Sequence, residues 1–222
     1  MKKMEFMESE KDFFTEEAYN SLRTNIIFCG ADIKTISITS CFPNEGKSSV
    51  SRNLAINFAK AGKKVLLIDA DMRKSVTMGI VDTEGAVCGL SHFLSGQAEL
   101  DDVIYSSRNN ENLFVIFTGS FPPNPSELLS GERFKKLLHE ARKCFDYVIV
   151  DTPPLGAVID AAVVSSVCDG AIIVVRANKT SYKDVKAVKL QLEKANCKIL
   201  GTVLNGAESK GHSYYYNEYY KS

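Results

Sequence analysis

The sequence has few of the residues and patterns that mark several classes of protein. It contains no tryptophan and only three histidines, and its six cysteines include no Cys-x-x-Cys pair. Neither a zinc site nor a disulfide framework is therefore supported, and the scattered cysteines predict reduced thiols in a cytosolic protein. The 27 basic and 27 acidic residues cancel, so no net charge favours nucleic acid or an anionic membrane as a partner.

Long hydrophobic runs are also missing, since no apolar stretch approaches the roughly 18 residues of a membrane span. Nor does the charged N-terminus resemble a secretory signal. The chain is nevertheless 45% hydrophobic over 222 residues, which is enough for one α/β core. We predict a single domain at residues 13–206, a poorly ordered segment at residues 1–12 and a flexible tail at residues 207–222.

The stretch over residues 36–50 predicts a strand, a loop and then a helix. β-branched residues open it, Pro43 and Gly46 interrupt it, and apolar residues recur at helical spacing after Lys47. Gly-Lys-Ser in this context is typical of a phosphate-binding loop, where backbone N–H groups and the positive helix end surround phosphate. The loop departs from the standard pattern because Cys41 stands at the place of its first glycine. An ordinary strand–helix turn with a surface lysine is the alternative for this stretch alone.

The residue types of the loop predict their roles. The Lys47 ammonium group is a point charge for the β- and γ-phosphates, and the Ser48 hydroxyl is a ligand for Mg²⁺. The predicted nucleotide-binding residues of the loop are Pro43, Asn44, Glu45, Gly46, Lys47, Ser48 and Ser49.

Two later apolar runs end in carboxylates. One run ends at Asp69, two residues before Asp71, and the other ends at Asp151. Uninterrupted apolar runs predict strands that are buried on both faces of a parallel sheet, and ligands bind at the carboxyl edge of such sheets. Ser48 together with one or two of these aspartates is predicted to hold Mg²⁺, directly or through water. A turn capped by an aspartate is the alternative for the pair at 69 and 71.

Strands and helices alternate along the remaining chain. We predict helices at 15–29, 89–95, 100–106, 158–167 and 182–194, with another from 127, and strands at 113–117, 170–175 and 199–205. The alternation predicts right-handed crossovers and a P-loop NTPase-like three-layer α/β sandwich, with a mainly parallel sheet and helices on both faces.

The identity of the nucleotide depends on two short patterns. Residues 178–181 imitate the guanine-reading Asn-Lys-x-Asp, but Ser181 lacks the carboxylate that accepts the guanine protons. ATP is therefore favoured. Asn205, at the end of the last predicted strand, is a candidate for an adenine contact, with a turn formed by its Asn-Gly pair as the alternative.

Four stretches together resemble the bacterial tyrosine kinases of capsule and exopolysaccharide systems, in their stand-alone cytoplasmic form. The stretches are residues 40–49, 67–74, 119–128 and 148–154, of which the first, second and fourth are similar to the family's Walker A, A′ and B motifs. The resemblance implies an ATP-dependent kinase that autophosphorylates on tyrosine and regulates polysaccharide synthesis. It also implies that Lys47 holds phosphate, that Ser48, Asp71 and Asp151 serve magnesium, and that Asp69 accepts the tyrosine proton.

Five of the nine tyrosines lie within the last nine residues of the sequence. They are Tyr214, Tyr215, Tyr216, Tyr219 and Tyr220. An aromatic tail that binds partners is one interpretation. The resemblance implies another, in which the tail is the phosphoacceptor and enters the active site of a neighbouring subunit.

The resemblance also implies partners. The family joins subunits into a ring through Glu-x-x-Arg-x-x-Arg, and the corresponding residues here are Glu17, Asn20 and Arg23, so that one guanidinium group is missing. Other expected partners are a tyrosine phosphatase and a membrane activator of the polysaccharide co-polymerase type, which would recruit the chain to the inner face of the cell membrane. No nucleic acid is expected.

A partitioning or septum-site ATPase, acting as a nucleotide-switched binding protein, is the alternative function. Such proteins share this fold, but they usually carry a second lysine at the place that Phe42 occupies here, and they lack a terminal tyrosine cluster.

Overall fold

The computed structural model describes residues 2–6, 12–75, 77–83 and 87–207. The strands within this part of the chain are β1 (Lys2–Phe6), β2 (Thr35–Ser40), β3 (Val65–Asp69), β4 (Val81–Thr83), β5 (Ile104–Ser107), β6 (Leu113–Ile116), β7 (Tyr147–Asp151), β8 (Gly170–Arg176) and β9 (Ile199–Asn205). The helices are α1 (Phe13–Phe28), α2 (Lys47–Lys60), α3 (Leu90–Leu94), α4 (Leu100–Val103), α5 (Pro125–Ser130), α6 (Glu132–Cys144), α7 (Asp160–Ser165) and α8 (Tyr182–Lys194). A short 3₁₀ helix spans Thr77–Ile80.

These strands form one sheet in the order β4-β1-β5-β6-β3-β7-β2-β8-β9. All neighbours from β6 to β9 are parallel, and the β1–β5 pair is parallel too. Antiparallel pairing is confined to β1–β4 and β5–β6. The uninterrupted apolar runs therefore form the central strands, as predicted for a sheet that is covered on both faces.

Helices cover both faces of the sheet because successive side chains of a strand point to opposite faces. On β3, Val65 and Leu67 pack in the cluster that includes α1 and α2 side chains. Leu66 and Ile68 pack instead with α6 and α7, while α8 covers β8 on that same face. The predicted fold class, a P-loop NTPase-like sandwich with a mainly parallel sheet, is confirmed.

The N-terminal segment is the clearest correction to the sequence analysis. Residues 1–12 were predicted to be poorly ordered, but Lys2–Phe6 form a strand between β4 and β5. Met4 and Phe6 point into the core, with 0% and 5% of their surfaces exposed. The five-residue alternation is too short to identify a strand by itself. Its partner β5 lies about a hundred residues away in the sequence, so no local pattern indicates the pairing.

Other boundaries also differ from the prediction. The predicted helix at 100–106 ends at Val103 and gives way to β5. Helix α5 begins at Pro125, two residues earlier than predicted, because the fixed φ of proline suits the first helical turn. Helix α1 begins earlier than predicted because the Asp12 carboxylate accepts a 2.7 Å hydrogen bond from Thr15 N. None of the described helices is both long and apolar enough to span a membrane.

Candidate active site

The phosphate-binding loop connects β2 to α2, as predicted. Gly46 precedes the helix with φ of 94°, a left-handed conformation that favours glycine. A Cβ atom at this position would lie 1.9 Å from Nδ2 of Asn205. Asn205 itself donates a 2.9 Å hydrogen bond to the Glu45 carbonyl oxygen. The loop is therefore held against the end of β9, two strands away from β2.

The Glu45 side chain braces the loop from inside. Its carboxylate accepts a 2.8 Å hydrogen bond from Phe42 N and a further one from the Thr180 hydroxyl. Thr180 belongs to the stretch that imitates a guanine-reading motif, and its contact with Glu45 gives that stretch a place beside the loop. The sequence did not indicate this role, because no local pattern around Thr180 predicts a contact with a residue 135 positions away.

Lys47 and Asp71 form a buried ion pair, with 2.9 Å between Nζ and Oδ2. Lys47 Nζ also donates to the Ser48 hydroxyl at 3.2 Å. Burial lowers the pKa of Lys47, but the charges of Asp151 and Asp71 outweigh it and leave that pKa raised. The lysine is therefore a fixed positive charge at the first turn of α2, where phosphate is expected.

Asp151 lies opposite Asp69 across the parallel pair β3–β7. The Ser51 hydroxyl donates to its Oδ1 at 3.2 Å, and Ser48 is a further hydrogen-bond partner. Burial raises the pKa of Asp151 to about 7, with the charge of Lys47 opposing the rise and that of Asp69 adding to it. The Asp151 carboxyl group therefore exchanges protons near neutral pH.

Asp69 is buried below the surface of the site. Its carboxylate accepts a 3.2 Å hydrogen bond from Asp71 N and another from the Ser75 hydroxyl. Burial raises its pKa, against the hydrogen bonds from Ser75 and Thr118. Its carboxylate therefore supports the turn that carries Asp71.

The loop after β3 is fixed by a network that the sequence did not reveal. The Asp71 carboxylate accepts hydrogen bonds from Lys74 N at 3.0 Å and Arg73 N at 3.3 Å. The Arg73 guanidinium group binds both carboxylate oxygens of Asp160, at 2.7 and 3.1 Å. Ser126 donates a 2.5 Å hydrogen bond to the same carboxylate. Arg73 thereby ties the Asp71 turn to α7 and α5.

A cavity of about 350 Å³ opens between these elements. The loop and the turn after β3 contribute Pro43, Asn44, Gly46, Lys47, Ser48, Ser49, Asp71, Arg73 and Lys74 to its lining. The turn between β7 and α7 contributes Pro153, Pro154, Ala157 and Val158. Four predicted site residues, Glu45, Asp69, Asp151 and Asn205, lie behind this lining, each hydrogen-bonded to the loop, to α2 or to Asp71.

The donor set fits a nucleotide phosphate with Mg²⁺. Helix α2 begins at the cavity with its positive end, and Ser48, Asp71 and Asp151 offer the hard oxygen atoms that Mg²⁺ prefers. Among the described residues no three His, Cys, Asp or Glu side chains are grouped as a metal site. Mg²⁺ does not need such a group, because it usually keeps several waters and takes one or two carboxylates beside substrate phosphates.

The predicted subunit-contact residues lie on α1, away from this cavity. Asn20 donates to Glu17 at 2.8 Å and accepts from Asn57 Nδ2 at 2.9 Å, while Arg23 donates to Asn57 Oδ1 at 2.9 Å. Within the described chain Glu17 and Asn20 therefore bind each other, and Asn20 and Arg23 bind Asn57 of α2. The five predicted acceptor tyrosines, Tyr214, Tyr215, Tyr216, Tyr219 and Tyr220, lie outside the described residues.

Comparison with known proteins agrees with this geometry. Residues 33–200 match the family described as the AAA domain. The chain is 43% identical to tyrosine-protein kinase CpsD of Streptococcus pneumoniae serotype 4, over 96% of this chain and 91% of that protein. It is 40% identical to tyrosine-protein kinase YwqD of Bacillus subtilis, over 93% of this chain and 87% of that protein.

Solved structures show the same relationship. The kinase domain of Escherichia coli tyrosine kinase ETK superposes with a TM-score of 0.82 and 37% identity, covering 88% of this chain and 77% of that one. The P-loop NTPase-like fold implies that the chain binds a nucleotide. The chain therefore belongs to the AAA domain family and to the bacterial tyrosine kinases.

Proposed function

We propose that the chain is an ATP- and Mg²⁺-dependent kinase that phosphorylates its own C-terminal tyrosines in trans and thereby regulates capsule or exopolysaccharide synthesis. The observation that carries the proposal is the meeting of Lys47, Ser48 and Asp71 in one cavity, backed by Asp151. A cluster of five tyrosines in the last nine residues supplies acceptors.

The residues at the cavity have separate proposed roles in phosphoryl transfer. The loop N–H groups and Lys47 bind the phosphates, and Ser48, Asp71 and Asp151 would hold Mg²⁺. When bound, Mg²⁺ neutralises charge on the transferred phosphoryl group. We expect Lys47 to exchange its contact with Asp71 for phosphate, which would free the Asp71 carboxylate for its proposed role.

Asp69 is the proposed acceptor of the tyrosine proton. Its raised pKa suits a proton acceptor, because a buried carboxylate gains more from protonation than an exposed one. In the described arrangement Ser75 occupies one of its oxygens. Asp69 is only 1% exposed and does not line the cavity, so the role requires the acceptor hydroxyl to reach it past the lining residues.

Assembly and location extend the same proposal. We expect subunits to associate through α1, by way of Glu17, Asn20 and Arg23, and the membrane activator of the co-polymerase type to recruit the cytoplasmic chain to the inner face of the membrane. A tyrosine phosphatase would reverse the modification. The hydrogen bonds of Asn20 and Arg23 to Asn57 would have to be exchanged for contacts with the neighbouring subunit.

The test mixes two full-length proteins with Mg-ATP. The acceptor carries Lys47→Met and an intact tail, and the donor carries phenylalanine in place of the five tail tyrosines. Phosphotyrosine mapping by mass spectrometry is expected to find phosphate on the tail of the Lys47→Met protein. Steady ATP hydrolysis with no phosphotyrosine on either protein would contradict the proposal and favour the switch-type ATPase.

A further inference from the structure

The cavity has two chemically unlike sides. One side carries the charged and polar groups of the phosphate loop and of the Asp71 turn. The other side is formed by Pro153, Pro154, Ala157 and Val158, which we name the apolar wall. A phosphate group gains nothing from such a surface, because its oxygen atoms need hydrogen-bond donors or cations. The wall is therefore suited to a group of different chemistry from phosphate.

The apolar wall is rigidly attached to the phosphate loop. The Thr39 hydroxyl donates to the Pro153 carbonyl oxygen at 2.9 Å, and Leu155 N donates to the Ser40 carbonyl oxygen at 2.9 Å. A Cβ atom on Gly156 would lie 2.2 Å from the Cys41 carbonyl oxygen, so the two backbones touch. An occupant of the wall is thus held at a fixed distance from a phosphate bound in the loop.

Strand order separates the wall from the proposed base contact. The sheet runs β3-β7-β2-β8-β9, with the phosphate loop after β2. Asn205 ends β9 on one side of the loop, whereas the wall follows β7 on the other side, next to the strand that leads to Asp71. A nucleotide with its base near Asn205 would direct its terminal phosphate toward the wall.

The surface properties of the wall suit an aromatic ring. Pro153 and Pro154 are buried, Val158 is half-buried and Ala157 is exposed, so a ring could lie across them without opening the core. A tyrosine side chain has an apolar ring and a hydroxyl that needs a polar partner, so it suits an apolar surface with polar groups beside it. We propose that the apolar wall is the subsite for the phenol ring of the acceptor tyrosine. This inference rests on the proposed kinase function.

The subsite is tested with a peptide of the sequence of residues 212–222 as acceptor. The enzyme is the whole chain with its five tail tyrosines replaced by serine, so that no ring of its own tail competes for the wall, with and without Val158→Ser. Removing the valine methyl groups is expected to raise KM for the peptide about tenfold, with the Kd of an ATP analogue unchanged within twofold. Val158→Leu keeps an apolar side chain and is expected to restore KM to within about threefold of the parent.

Leu190→Ser is the matched control, because Leu190 is an exposed apolar residue of α8 that does not line the cavity. It is expected to leave KM for the peptide unchanged. An unchanged peptide KM in Val158→Ser would overturn the subsite while leaving the kinase function intact. An equal loss of ATP-analogue affinity would also overturn it, since the wall would then hold the base. Failure of the parent enzyme to phosphorylate the peptide would contradict the proposed function itself.

Discussion

The Lys47 ammonium group and the Asp71 carboxylate lie 2.9 Å apart, with only 11% and 4% of their side chains exposed. Each of these groups has a second proposed partner, phosphate for the lysine and Mg²⁺ for the aspartate. Under the proposed function, nucleotide binding would therefore exchange one buried ion pair for two new interactions. The exchange keeps both charges compensated, which matters because an unpaired buried charge is costly.

This ion pair changes what is expected of the Lys47→Met variant. The substitution removes the charge predicted to bind phosphate and is expected to abolish phosphorylation, and it also leaves Asp71 buried without its cation. We expect a loss of stability in Lys47→Met, and a coupling of about 1–3 kcal/mol with Asp71→Asn. Denaturant unfolding of both single variants and the double variant measures it. Strictly additive effects would contradict the buried pair.

Gly46→Ala is expected to lower both nucleotide affinity and stability. Alanine at this position would have to adopt a left-handed backbone conformation, and its Cβ atom would overlap with the Asn205 amide group. We expect a loss of about 1–3 kcal/mol in the free energy of unfolding. Gly62→Ala is the matched control, because Gly62 has φ of 77° but a Cβ atom there would have no neighbouring atom within 4 Å. Adding Asn205→Ala should recover part of the Gly46→Ala loss, and equal losses in both glycine variants would contradict the clash.

The raised pKa of Asp151 predicts a pH-dependent stability. Its pKa is about 7 in the folded protein and roughly 3.9 in an unfolded chain. Between these two values the folded state therefore binds one more proton than the unfolded chain. The stabilisation that this proton gives is present near pH 4 and is lost as the pH rises through about 7. The slope is at most about 1.4 kcal/mol per pH unit. The neighbouring Lys47, Asp69 and Asp71 also face this carboxyl group.

Asp151→Asn isolates this effect, because asparagine does not titrate. Unfolding measured in EDTA from pH 4.5 to 8 should show wild type losing stability relative to the variant as the pH rises. A difference between the two proteins that is constant with pH would show that Asp151 is already ionised in this range.

Arg73→Lys is expected to reduce kinase activity, because lysine cannot bind both oxygens of Asp160 at once. The Asp71 turn would lose its link to α7 and α5, and we expect a loss of about 1 kcal/mol in stability at this half-exposed arginine. The control is Arg142→Lys, since Arg142 pairs with Asp169 and has a similarly exposed side chain. Only the Arg73 variant should change Mg-ATP affinity, measured by titration. Equal effects of the two variants on Mg-ATP affinity would show that Arg73 does not position the site.

The sequence predicted the parts of the site that one local pattern encodes. The loop at Lys47 follows a strand, and the strands that end at Asp69 and Asp151 are apolar runs with a polar last residue. Such runs are uninterrupted because central parallel strands are buried on both faces. The contacts of Thr180 with Glu45 and of Arg73 with Asp160 could not be predicted. They join side chains that are 135 and 87 residues apart, and only the folded sheet brings them together.

The position of β1 between β4 and β5 also bears on how the protein folds. Strand β1 has its parallel partner at residues 104–107, so its N–H and C=O groups cannot pair there during synthesis until that later stretch has been made. Closing such a long loop costs chain entropy before any contact compensates for it. We therefore expect β1, β4 and β5 to join the sheet late in folding, after the central strands around β2 and β7 have assembled.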